Sequence, residues 1–170
     1  MSMMSVNSEN ISLDSFGEIY NQYVSHALRL AYALLHDQSA AEDAVQEAFI
    51  RAYYHREKFD KSKKFKPWFD RILINECKRI LGRRKQFMDI EEAERMEDFS
   101  SSADESDEIQ TLRSSIDRLA PKYKEVILLK YMQGYSEVEI AQILLIPRST
   151  VKSRLFEARN KLKSMMMEDD

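Results

Sequence analysis

Residues 135–163, YSEVEIAQILLIPRSTVKSRLFEARNKLK, decide the reading of this chain. They hold two short amphipathic segments separated by a tight turn. Ser136 and Glu139 have the spacing of a capping box, in which each side chain takes an N–H that the first helical turn leaves unpaired. Ile140, Ala141 and Leu144 then recur at helical spacing and are expected to face inward. Pro147 suits the first turn of a second helix, where its missing N–H removes no bond. Along that helix Val151, Leu155, Ala158 and Leu162 form an apolar stripe. Ser149, Ser153, Phe156 and Asn160 fall opposite the stripe, with Thr150, Lys152, Arg154 and Glu157 at its edges. This is the layout of a helix-turn-helix, in which one helix braces another that lies in the DNA major groove. The bland alternative is a surface helix with solvated charges; agreement of cap, turn and free-face chemistry weighs against it.

Upstream, Leu112, Ile116 and Leu119 predict a helix that ends at Ala120-Pro121. Pro121 opens the apolar run PKYKEVILLKYMQG, and Gly134 stands where a helix C-terminus needs a residue at positive φ. Residues 111–168 therefore read as one compact helical module.

The amino-terminal half repeats the helical theme. Phe16, Ile19, Tyr20, Tyr23, Val24, Ala27, Leu28, Ala31 and Leu34 give a long stripe across 13–36. Ser39 with Glu42 has the spacing of another capping box, followed by Ala44, Val45, Ala48, Phe49, Ala52 and Tyr53 on an inward face. The other face carries Asp43, Gln46, Glu47, Ile50 and Arg51; the bland reading is a solvated polar face, against which an exposed isoleucine argues mildly, and a docking surface for a partner helix is the sharper alternative.

Next comes HREKFDKSKKFKPWFDRILINECKRILGRRKQ. A short basic loop over 59–66, with Lys63 and Lys64, lies between Phe59 and Phe65, and Pro67 is expected to start a helix. Phe69, Leu73, Cys77 and Ile80 suit its core side. Trp68, Ile72, Asn75 and Arg79 share a second side, with Lys78, Arg83 and Arg84 nearby. Rings interleaved with cations are what single-stranded nucleic acid requires, although Trp68 alone fits a core position equally well.

Charge is distributed unevenly. The total is −3 over 170 residues, yet 89–110 alone holds ten acids and one base. Residues 58–85 hold eleven Lys/Arg against three Asp/Glu. An acidic linker thus separates two positive-surfaced bodies, the electrostatic footprint of nucleic-acid binding.

Other classes are disfavoured. No run approaches the roughly 18 apolar residues of a membrane span, and the amino terminus lacks the basic and apolar regions of a secretory signal. The lone cysteine, Cys77, excludes an intrachain disulfide and suits a reducing cytoplasm. Three scattered glycines cannot build a phosphate-cradling loop, and His26, His36 and His55 lack metal-ligand spacing and read as surface or interface residues. We expect no metal, no cofactor, no small-molecule substrate and no catalytic residues.

These features together resemble the extracytoplasmic-function (group IV) branch of the sigma-70 family of RNA polymerase initiation factors. AEDAVQEAFIRAY (41–53) is similar to the family's core-binding region 2.2, and KPWFDRILINECKRILGRRKQ (66–86) to its regions 2.3 and 2.4. LAPKYKEVILLKYMQGYSEVEIAQILLIPRSTVKSRLFEARNKLK (119–163) is similar to region 4. The resemblance implies an all-α chain of two small helical domains: a disordered start over 1–12, region 2 over 13–88, an acidic flexible linker over 89–110 and region 4 over 111–168. It implies that Asp43, Gln46, Glu47, Ile50 and Arg51 dock on core RNA polymerase, at the clamp of the β′ subunit, with β a further contact. Lys63, Lys64, Phe65, Trp68, Asn75, Lys78, Arg79, Arg83 and Arg84 would engage the −10 element and capture a flipped base. Arg148, Ser149, Thr150, Lys152, Ser153, Arg154, Phe156 and Glu157 would read the −35 element. The linker would thread through polymerase, and a membrane-anchored anti-sigma factor would be the regulator, holding the cytoplasmic protein at the membrane. Leu145 and Ser149 stand where the family often has glycine. The alternative is a stand-alone helix-turn-helix regulator of duplex DNA; a protein-only adaptor and an enzyme explain less of the chain.

Overall fold

A computed structural model describes residues 13–87 and 106–168. The expected disordered start and residues 89–105 of the acidic linker lie outside them. The chain divides into two compact units, and among the described residues the only regular structure is helical.

In the first unit α1 spans Leu13–Leu35, α2 Gln38–Tyr54 and α3 Phe65–Phe87, with a single helical turn at Arg56–Lys58. The expected apolar stripes meet here. Ile19, Ala27 and Ala31 of α1, Ala44, Ala48 and Phe49 of α2, and Phe69, Leu73 and Cys77 of α3 are all buried. Alanines at 41, 44, 48 and 52 keep the α2 surface low, which lets its neighbours approach closely. Phe49 and Phe69 sit 4.5 Å apart between ring centres, and Phe65 stacks on Phe69 at 5.8 Å.

Two local expectations are corrected. The cap of α2 is Asp37, not Ser39: His36 turns left-handed (φ 53), Asp37 becomes extended, and its carboxylate accepts the Ala40 N–H at 2.9 Å. Glu42, freed from a capping box, accepts from Gln38 at 3.3 Å. Helix α3 begins at Phe65, two residues before Pro67, because a proline in the first turn displaces no helical hydrogen bond.

The second unit contains α4 (Asp107–Asp117), α5 (Pro121–Ile127), α6 (Glu137–Leu144) and α7 (Arg148–Glu168). Helix α4 starts inside the stretch expected as linker; Asp107 and Glu108 occupy its first turn, where carboxylates meet the positive end of the helix dipole. Pro121 opens α5 as expected. Beyond Ile127 the helix widens over Leu128–Met132, with the Gln133 N–H reaching back five residues to the Leu128 carbonyl at 3.0 Å. Gly134 then takes φ 74 and ends it. The core combines Val126, Ile127 and Leu129 with Ile140, Ile143, Val151, Leu155 and Ala158. On α6 it is Ile140 and Ile143 that are buried; Ala141 and Leu144, expected inside, are half-exposed. Burial also lowers the pKa of Lys124, against the opposing pull of Asp117.

The helix-turn-helix is built as its sequence predicts at one end and differently at the other. Ser136 and Glu139 make the reciprocal capping box. Pro147 lies just outside α7, its carbonyl accepting from Thr150 and Val151 at 3.0 and 3.2 Å, so it caps the helix rather than occupying its first turn. Leu145 takes φ 55, ψ 45, left-handed geometry that crowds its Cβ. Its side chain is 66% exposed, so no packing offsets that strain. Leu145→Gly is expected to stabilise this unit by roughly 0.5–1 kcal/mol, read as a rise of a few degrees in melting midpoint; an unchanged or lower midpoint contradicts the strain.

Candidate nucleic-acid and polymerase interfaces

The loop entering α3 is shaped from within. Asp60 accepts from the Ser62 N–H at 3.0 Å and hydroxyl at 2.6 Å, and these bonds hold its carboxyl below its usual pKa. The Lys63 N–H closes the turn on the Asp60 carbonyl at 2.9 Å. Lys63 and Lys64 project into solvent, while Phe59 and Phe65 are buried beneath them. Trp68 is half-buried and lies 5.0 Å from Phe59 and 5.7 Å from Phe65 between ring centres. The aromatics therefore form a floor under a cationic loop. Phe65, expected to meet DNA, is corrected to part of that floor, because a 4%-exposed ring has no free face for a base.

Beneath the floor lies a group that the sequence reading missed. His26 of α1 donates from Nε2 to both carboxylate oxygens of the fully buried Asp70 of α3, at 3.0 and 3.2 Å. Tyr23 packs against Phe65 at 5.3 Å, and burial, then the Asp70 charge, raises its pKa. His26, read as a surface or interface histidine, instead joins two helices.

Farther along α3, Asn75, Lys78, Arg79 and Arg83 are exposed. Arg84 is engaged inside the unit: it donates to the Leu35 carbonyl at 3.0 Å and pairs with Asp37 at 3.1 Å, clamping the α1–α2 turn. Arg79 pairs with the buried Glu76.

On α2, Asp43, Gln46, Ile50 and Arg51 are exposed and Glu47 half-exposed, on one continuous face. Ile50 keeps 43% of its surface in solvent. It also borders an apolar groove of about 860 Å³ between α1 and α2, lined by Phe16, Tyr20, Val24, Phe49 and Tyr53 among others.

On α7, Ser149, Lys152, Ser153 and Phe156 are exposed and Thr150 and Arg154 half-buried, with Phe156 at 64%. Arg148 pairs with Glu137 of α6 at 3.5 Å. Glu157 accepts the Tyr123 hydroxyl hydrogen bond and so braces α7 against α5. Among the described residues no cluster of three or more metal-ligating side chains occurs, and no helix is long and apolar enough to cross a membrane.

The Sigma-70 region 2 family model matches residues 19–87, the three-helix unit, and the Sigma-70 region 4 model matches 109–162, the unit with the helix-turn-helix. The chain is 35% identical over 167 residues to the ECF RNA polymerase sigma factor SigW of Bacillus subtilis, covering 90% of this chain and 89% of that one. The chain is an extracytoplasmic-function sigma factor. A second relative, the RNA polymerase sigma-H factor of Pseudomonas aeruginosa, is 33% identical over 87% of this sigma factor and 84% of its own length. The sigma factor RpoE of Bartonella quintana, solved in complex with the anti-sigma factor NepR, superposes with a TM-score of 0.75 at 26% identity, covering 93% of this chain and all of that one. As a sigma factor the protein directs RNA polymerase to promoters. A stand-alone regulator would leave region 2 without a role.

Proposed function

We propose that the sigma factor divides its work among three surfaces. Core RNA polymerase docks, through its β′ clamp, on Asp43, Gln46, Glu47, Ile50 and Arg51 of α2. Lys63, Lys64, Trp68, Asn75, Lys78 and Arg83 engage the −10 element and its displaced strand, with Arg79 joining them. Arg148, Ser149, Thr150, Lys152, Ser153, Arg154 and Phe156 meet the −35 element. We take 13–88 as the first functional unit and residues from 111 to 168 as the second, with 89–110 passing through polymerase between them.

One observation carries the reading: a cationic loop on an aromatic floor continues into the exposed Asn75 side of α3, on the same unit that presents the α2 face. Cations follow phosphates and aromatic rings stack on bases, which is the chemistry of single-strand capture. Extruding a base costs a few kcal/mol, so a pocket that holds it drives opening without nucleotide hydrolysis. The protein performs no covalent chemistry of its own in this account. It works in the cytoplasm, and an anti-sigma factor holds it inactive; the support for such a partner is the RpoE complex with the anti-sigma factor NepR, while a membrane anchor on that partner is carried over from the family resemblance alone.

Asn75→Ala tests the assignment. With core polymerase and a cognate promoter, permanganate reactivity of the melted region is expected to fall about tenfold or more, while affinity for core stays at the parental value. Parental reactivity would contradict the base-capture role.

A further inference from the structure

The buried charge of Glu76 has no role in the bundle described so far. Glu76 lies on α3 with 5% of its side chain exposed, and two arginines from different surfaces converge on it. Arg51 of the α2 face reaches Oε1 through Nε at 2.7 Å. Arg79 reaches Oε2 through Nη2 at 2.7 Å and Nε at 3.0 Å. The same Arg51 Nε is also 3.1 Å from Glu47, so one N–H is shared between an acid on the docking face and an acid beneath the DNA face.

We propose that Glu76 is a positioning residue that couples polymerase docking to promoter-strand binding by holding Arg79 away from DNA in the free protein. Arg79 keeps 40% of its side chain in solvent, but its charge is neutralised by a carboxylate that cannot rotate out to water. A cation so paired releases no counterion from a DNA backbone, and counterion release supplies most of the affinity for phosphates. Docking alters the balance through Glu47. A polymerase cation that draws Glu47 away leaves the Arg51 N–H wholly to Glu76. Glu76 is then neutralised from the α2 side, its hold on Arg79 weakens, and Arg79 turns to phosphate. Linkage makes this reciprocal: strand binding by Arg79 strengthens the Arg51–Glu76 pair and favours the docked state.

The mechanism rests on the docking assignment above, but its first test does not use polymerase. The full chain is titrated with a fluorescent single-stranded −10 oligonucleotide across a salt series. Glu76→Gln keeps the shape and removes the charge. It is expected to bind about fivefold more tightly at low salt, with the slope of log K against log salt steeper by about 0.7, the value for one added phosphate contact on a single strand. Adding Arg79→Gln is expected to remove the gain. Glu18→Gln, an exposed charge loss on α1, is expected to give a smaller gain than Glu76→Gln. A folded Glu76→Gln chain with the parental slope overturns the proposal, and so does a gain that survives Arg79→Gln. If Glu76→Gln does not fold, as read from its helical signal, Glu47→Gln decides: a slope shift in the same direction supports the coupling, and a parental slope overturns it. Loss of core binding by docking-face variants is measured separately, so failure of the Glu76 hold and failure of the docking assignment are told apart.

Discussion

Phe69→Ala is expected to leave region 2 largely unfolded at physiological temperature. Phe69 is fully buried where all three helices meet, with the rings of Phe49, Phe65 and Tyr23 at 4.5, 5.8 and 6.4 Å. Truncating such a ring costs about 3–5 kcal/mol, from lost transfer energy and the cavity left behind. A unit of this size has only about 5–10 kcal/mol in total. A close-packed aromatic set collapses poorly around the gap, and the neighbouring Asp70–His26 pair loses its dry surroundings as well. Thermal melting followed by circular dichroism should show the region 2 transition at least about 15 °C lower. Promoter-dependent transcription should be lost with it. A midpoint within a few degrees of the parent would show that Phe69 is not the keystone of the bundle.

Ile50→Asp should be equally damaging to function while leaving the fold intact. Ile50 keeps 43% of its surface in solvent, so the change removes little buried area and should shift stability by less than about 0.5 kcal/mol. Its effect lies in the complex. An apolar side chain at the centre of a docking face, flanked by Gln46, Glu47 and Arg51, has the character of an interface anchor. An unpaired carboxylate buried there combines desolvation with the lost contact, and affinity for core polymerase should fall about 50-fold or more. Labelled protein titrated with core enzyme gives the number directly. Parental affinity would move the docking site off α2.

The contrast between these variants shows what was legible in the sequence. Phe69 and Ile50 were assigned to opposite sides of their helices from periodicity alone, because helical spacing records which side of an element is wet. The capping box at Ser136 and the positive φ at Gly134 were legible for a similar reason: both are local, set by residues within a few positions. Long-range pairing was not. His26–Asp70 and Arg51–Glu76 join residues 44 and 25 positions apart, and a charged residue in a helical pattern reads as solvated until its partner is known. Phe65 and Trp68 could not be sorted between floor and surface because both roles use the same residue type. Ser39–Glu42 carries the spacing of a capping box and so masks Asp37 as the cap, whereas the left-handed His36 fixes where the helix begins. In the run from Val126 to Leu129, apolar residues on every side erase the period, so the widened turn that follows left no signal.

The docking surface, the strand-binding side of α3 and the link through Glu76 all require that the chain act only as part of holoenzyme. The most direct measurement titrates purified full-length chain with core RNA polymerase at low salt. It then assays permanganate reactivity on a cognate promoter with and without core. The account predicts saturable association, promoter opening that needs both components, and loss of both signals with Ile50→Asp. A chain that stays apart from core enzyme, or opens the promoter without it, would contradict the account at its centre.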